Sequence, residues 1–259
     1  MGTITDKLTY LDGTKTAIKE AIVSKGVSVS DTDTFRSYAD KISSIKYRPR
    51  FISFMEYTGV DLIDELSNLD TSNVTSMREM FHHCEAIETL DLRSLVTDKV
   101  TNMSYMFDTC LSLKSVDLSS FNTSNVSYMQ YMFDECEALQ SVDVSMFDTS
   151  KVKYFYCMFR NCTLLTTLDI SNFDTTSLLN SDYMFYNCTN LKSLIINNPK
   201  VFPLIGDDGD TGANAFTGSS IASGTGYVYV PDDLVETYKT TTNWSTYANQ
   251  IKGISELGG

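Results

Sequence analysis

The chain has 259 residues, of which 42% are hydrophobic and 20% are charged. This is enough to bury a sizeable core and too apolar for a disordered protein. Acidic residues outnumber basic ones by 33 to 20, a net charge of −13 that argues against nucleic acid and anionic membrane surfaces as partners. No 18 consecutive residues are apolar, so the sequence predicts no membrane span. The N-terminus has no basic segment followed by an apolar stretch, so the sequence predicts no secretory signal.

Residues 1–47 differ in pattern from the rest and predict a small helical module. One helix is expected from Thr14 to Lys25, ending at Gly26, and a second is expected to begin at Asp33 or Thr34. The second helix has a coiled-coil-like seam, which predicts oligomerisation and is compatible with a trimer. The seam residues are Phe35, Tyr38, Ile42 and Ile45.

The segment TDKLTYLDGTKTAIKEAIVSKGVSVSDTDTFRSYADKI, residues 5–42, is similar to N-terminal modules of phage and prophage tail-associated proteins. This resemblance implies that the module attaches the chain to other virion or tail subunits, or joins copies of the chain. It also implies a location in a virion, with a bacterial cell surface as the other possibility.

From about residue 48 the sequence repeats with a period of 26 residues. The phrase Met-Phe-x-x-Cys recurs five times without insertion, beginning at Met80, Met106, Met132, Met158 and Met184. A regular repeat of this length indicates a solenoid, in which each unit buries its apolar face against its neighbours.

Each unit changes its apolar spacing partway through. Met103, Met106, Phe107 and Cys110 have the spacing of one face of a short helix, whereas the residues around Val116 alternate as in a short strand. The predicted unit is therefore one or two helical turns followed by a strand, and stacked units would form a parallel ladder of strands.

The repeats strongly resemble the BspA-type leucine-rich-repeat family in units such as VDLSSFNTSNVSYMQYMFDECEAL, residues 116–139. The resemblance implies an α/β leucine-rich-repeat solenoid with a small helical N-terminal module and a C-terminal strand and helix cap. The tail GYVYVPDDLVETYKTTTNWSTYANQI resembles such a cap, and Phe216 to Ser219 resembles a degenerate last repeat. The expected divisions are 1–47 (attachment), 48–198 (repeats) and 199–259 (last repeat and cap).

Five of the six cysteines lie in one column of the repeat: Cys84, Cys110, Cys136, Cys162 and Cys188. Their core-facing position predicts buried, reduced thiols rather than disulfides. His82 and His83 are the only histidines, and the sequence predicts no metal site, no cofactor and no catalytic residues.

Two outward columns are candidates for binding. Asp91, Asp117, Asp143 and Asp169 form a column of like charges, so they need compensation, expected from hydrogen bonds to the next unit's loop or from cations or a polar ligand. Tyr105, Tyr131 and Tyr183 form the other column and lie one residue from the apolar stripe, so they are expected to be partly buried. Tyrosine there fits either plain packing or a recognition surface.

The sequence therefore predicts a recognition or structural protein without enzymatic activity. Its expected partners are a protein or a cell-surface glycan, and tail subunits through residues 1–47. One alternative is a BspA-like bacterial adhesin that binds host proteins, and another is a glycan-active or metal-dependent enzyme that uses the aspartate column.

Overall fold

A computed structural model describes residues 69–206 and 214–258. The described chain is a parallel-strand β-solenoid of about six coils, so the predicted solenoid with parallel short strands is confirmed. The predicted N-terminal helices and the seam residues Phe35, Tyr38, Ile42 and Ile45 lie outside the described residues.

Short strands along one side of the coils form two parallel sheets. β1 (Thr89–Asp91) pairs with β2 (Ser115–Asp117), and β3 (Thr167–Asp169), β4 (Ser193–Ile195), β5 (Tyr227–Val230) and β6 (Ile251–Gly253) pair in that order. β1 to β4 each bury their second residue and leave the first and third more exposed, as the alternating pattern predicts. Residues 141–143 form no strand, so this strand side is interrupted between β2 and β3.

The predicted helix in each repeat is wrong, because its residues form two consecutive β-turns. In the second coil, Met106 N–H donates to Met103 O and Cys110 N–H donates to Phe107 O. Tyr105 and Thr109, the third residues of these turns, have φ of 59° and 60°. That left-handed backbone cannot continue a right-handed helix.

The apolar spacing led to the wrong prediction because two successive four-residue turns direct the same sequence positions into the core as a helix does. The first and fourth residues of each turn point to the core, so Met103, Met106, Phe107 and Cys110 are all fully buried. The same pair of left-handed residues recurs in all five repeats. Their positions are Glu79 and His83, Tyr105 and Thr109, Tyr131 and Glu135, Cys157 and Asn161, and Tyr183 and Asn187.

These turns form a second backbone ladder, which we call the turn side. Alternate N–H groups donate to the next coil: Tyr105 N–H donates to Gln130 O at 3.1 Å and Phe107 N–H to Met132 O at 2.9 Å. Phenylalanines stack in its interior with ring centroids 5.2 to 6.0 Å apart. They are Phe81, Phe107, Phe133, Phe159, Phe185 and Phe216.

Buried threonines clamp successive coils at a corner of the solenoid. Thr97 Oγ1 donates to Asn122 O at 3.0 Å and accepts from Asn122 N–H at 2.7 Å. Thr71, Thr123 and Thr149 donate to the next coil in the same way. The hydroxyl groups of these threonines are thus paired between coils rather than left without partners.

The C-terminal end carries the predicted strand and helix. β5 is followed by a 3₁₀ turn, Asp232–Leu234, and by α1, Val235–Thr240, and 3₁₀ helices also span Ser245–Gln250 and Ile254–Glu256. Phe216 continues the phenylalanine stack and contacts Trp244, whose Nε1 donates to Phe202 O at 2.7 Å. The cap therefore covers the apolar end of the last coil.

Candidate binding surface

The tyrosine column opens onto the turn side and is half-buried. Tyr105 and Tyr131 stack with ring centroids 4.4 Å apart. Cys157 interrupts the column, and the neighbouring Tyr156 takes its place, with its ring edge-on to Tyr131 at 5.1 Å and to Tyr183 at 5.9 Å. Tyr156, which is not a member of the predicted column, thus connects Tyr131 to Tyr183. We call Tyr105, Tyr131, Tyr156 and Tyr183 the aromatic strip.

Two arginines lie against the aromatic strip. The guanidinium of Arg78 is 5.1 Å from the centre of the Tyr105 ring, and that of Arg160 is 5.7 Å from the centre of Tyr131. Both distances are within the range of cation–π attraction. The faces of these two rings are therefore largely occupied, and their edges remain for a partner.

The phenol groups of Tyr105, Tyr131 and Tyr156 keep their protons. Burial raises the pKa of Tyr105, Tyr131 and Tyr156 above the usual value of 10.0. At neutral pH each hydroxyl can therefore both donate and accept a hydrogen bond.

A column of ionisable residues runs beside the strip, and we call it the charged column. Its members are His82, Asp108, Asp134 and Arg160. His82 Nδ1 lies 2.9 Å from Asp108 Oδ2, and Arg160 contacts Asp134 through two nitrogens, at 2.6 and 2.8 Å. Burial raises the pKa of Asp134 to about 6, because desolvation outweighs the opposing effect of Arg160. This column went unrecognised in the sequence, although its members are 26 residues apart. Aligning the outward positions of the repeat would have found it.

The aspartate column lies on the strand side, and its compensation is mostly within each coil. Each carboxylate accepts an N–H from the residue two positions later in its own coil, and among the described residues the expected contact with a neighbouring unit's loop is found only between Asp117 and Arg93, at 3.4 Å. The donors to Asp91, Asp117, Asp143 and Asp169 are Arg93, Ser119, Ser145 and Ser171, at 2.9 to 3.1 Å. Arg93 also holds the pKa of Asp91 down to about 2, and hydrogen bonds from Ser119 and Ser145 lower those of Asp117 and Asp143.

The cysteine column is buried and reduced, as predicted. Four of its thiols donate to a carbonyl of the preceding coil at 3.0 to 3.1 Å, and burial raises the pKa of Cys188 to about 12. Within the described residues no group of three or more His, Cys, Asp and Glu side chains is arranged to hold a metal ion. In the same part of the chain, no helix has the length and apolarity needed to cross a membrane.

Parallel strands, stacked turns and side-chain columns at a constant interval define a solenoid repeat protein. Residues 52–116 and 83–198 match a family model described as "Mycoplasma protein of unknown function, DUF285". Together the two matches cover residues 52–198, more than half of the chain, and the chain belongs to this family. A comparison with curated proteins gave no match.

Proposed function

We propose that this protein is a non-enzymatic recognition protein and that the aromatic strip contacts a protein partner. The observation that carries the proposal is the half-exposed row of tyrosines flanked by Arg78 and Arg160. Tyrosine and arginine are the residues most enriched where protein interfaces concentrate their binding energy.

The ring geometry favours a protein over a glycan. A sugar would be expected to stack on an aromatic face, and the faces of Tyr105 and Tyr131 are occupied by each other and by guanidinium groups. The exposed ring edges suit the contacts of a protein interface. The aspartate column gives little support to an enzyme, because each carboxylate accepts the same backbone N–H bond from its own coil.

The test uses the fluorescently labelled full chain and cells of the bacterium that encodes it. We expect saturable binding that is lost when the cells are treated with protease, and at least tenfold weaker binding by Tyr105→Ala/Tyr131→Ala. The matched control is Tyr128→Ala/Tyr154→Ala, which removes a second stacked tyrosine pair one coil further along. Equal binding by parent and Tyr105→Ala/Tyr131→Ala, or binding that survives protease, would overturn the proposal.

We further propose that residues 1–47 attach the repeats to a phage or prophage tail, as their resemblance implies, while the BspA-like resemblance supports an adhesin as the alternative. The two differ in assembly. A tail component should form an oligomer that Ile42→Asp dissociates while the repeats stay folded, whereas an adhesin should be a monomer in both forms. Light scattering of the full chain and of Ile42→Asp distinguishes them.

A further inference from the structure

The strand side opens into a groove where its ladder is interrupted. The groove has a volume of about 340 Å³ and lies between β2 and the coil that lacks a strand. Its apolar lining includes Leu90, Val116 and Met146, and its acidic lining is Asp117 and Asp143. Met146 is 65% exposed, the most exposed large apolar side chain among the described residues.

The chain itself shows what such an acidic pair binds. One coil earlier, the Arg93 side chain bridges the corresponding pair: its Nε lies 2.9 Å from Asp91 Oδ1 and 3.4 Å from Asp117 Oδ2. The position equivalent to Arg93 in the next coil is Ser119, whose side chain is too short to bridge Asp117 and Asp143. Within the described residues Asp143 makes no ion pair.

We infer that this groove binds an arginine side chain of a partner protein. Its guanidinium would bridge Asp117 and Asp143, as Arg93 bridges Asp91 and Asp117, and its methylene stem would lie on Val116 and Met146. Arginine suits the site better than lysine because its planar fork matches paired carboxylate oxygens and its stem packs on apolar surface. The net charge of −13 would also attract a basic partner. The groove lies on the strand side, so this inference is independent of the aromatic strip on the turn side.

The experiment follows the methyl signal of Met146 in the full chain labelled with ¹³C-methyl methionine, assigned by its loss in Met146→Leu. The probe is N-acetyl-arginine N-methylamide, and its neutral counterpart is the citrulline analogue. We expect a saturable shift with the arginine probe, with a dissociation constant on the order of 1 mM for so small a ligand. The citrulline analogue should bind at least tenfold more weakly.

Two pairs of variants sharpen the assignment. Asp143→Asn should weaken binding of the arginine probe about tenfold, because one charge-assisted contact is lost. Asp169→Asn, one coil further along, should leave binding unchanged. Ser119→Arg should place an arginine in the groove as Arg93 does one coil earlier, and so abolish the shift. Ser171→Arg makes the same substitution two coils away and should leave binding intact.

Each remaining outcome contradicts the inference. Equal binding of the citrulline analogue would mean that the groove selects apolar shape only. Tighter binding of free arginine than of the blocked probe would indicate an amino-acid ligand, and a Met146 shift that depends on protein concentration alone would indicate a second copy of the chain. No saturable shift, or a full shift in Ser119→Arg, would remove the site altogether.

Discussion

The turn side and the strand side have the same 26-residue period, yet only one of them is continuous. On the turn side, backbone bonds run from coil to coil through all five repeats, above stacked phenylalanines and hydrogen-bonded thiols. On the strand side, strands of three or four residues pair on either side of a gap at residues 141–143. A regular backbone therefore depends on what lies behind it: large interlocking side chains enforce the stacking, and short strands alone do not.

The largest effect should come from breaking the phenylalanine stack. Phe133 is fully buried between Phe107 and Phe159, at 5.2 and 5.4 Å. Phe133→Ala should lower the free energy of unfolding by about 3 to 5 kcal/mol, because the cavity cannot close between stacked rings. Urea denaturation measures this change. The corresponding substitution on the strand side, Val142→Ala within the gap, should cost about 1 kcal/mol; equal losses would refute the difference between the two sides.

The threonine clamp tests whether side-chain hydrogen bonds also hold the coils together. Thr97→Val keeps the shape but removes the group that both donates to Asn122 O and accepts from Asn122 N–H. We expect the free energy of unfolding to fall by about 2 kcal/mol, because the backbone N–H and C=O of Asn122 are left unpaired. The control is Thr101→Val. The exposed hydroxyl of Thr101 makes one bond, to Thr75 O, so its removal should lower the free energy of unfolding by about 0.5 kcal/mol or less. A similar small change at Thr97 would mean that the clamp contributes little.

The charged column makes the turn side sensitive to pH. Folded Asp134 has a pKa of about 6 against an ordinary value of 3.8, so folding takes up a proton between these pH values. Its stabilising contribution is therefore present at low pH and is lost as the pH rises through about 6. Relative to Asp134→Asn, the parent should lose about 1 kcal/mol of stability from pH 5 to pH 7.

The strand side supplies the control for this pH effect. The pKa of Asp143 is lowered, so its contribution is present above the ordinary value and is lost only in acid. The stability difference between the parent and Asp143→Asn should stay flat from pH 5 to pH 7. Thermal denaturation at matched ionic strength measures both series, and a flat Asp134 series would show that the Arg160 ion pair offsets the desolvation of its carboxylate.

The sequence alone predicted the period, the core and the parallel stacking, and it missed the turns, the charged column and the gap on the strand side. Identical columns such as Cys110 and Cys136 revealed the period, the core and the parallel stacking. The turns were mistaken for a helix because core-facing positions are spaced alike in both. Asn161 and Asn187, residues that tolerate left-handed backbone, were the available hint of the turns. Arg78, which lies against the aromatic strip, occupies an outward position whose residue differs from coil to coil, so the repeat pattern could not single it out.

Met146 lies in the coil that lacks a strand, and substituting it is a way to test whether the strand side can be made continuous like the turn side. The same position in later coils is Asn172 and Asn198, and Asn172 Nδ2 donates to two carbonyls of the preceding coil, Val144 O and Phe147 O. Methionine has no such donor. Met146→Asn should therefore supply equivalent bonds to Leu118 O and Phe121 O and raise the stability by about 0.5 to 1 kcal/mol.

Met146→Ala removes the exposed side chain without adding a donor, and it should give no gain. Urea denaturation compares the two variants, and hydrogen exchange at residues 141–143 reports whether the strand side has closed. Slower exchange in Met146→Asn alone would trace the gap to a missing hydrogen-bond donor. Equal exchange in both variants would assign the gap to the backbone of residues 141–143 themselves, since the coil would then stay open even with the donor restored.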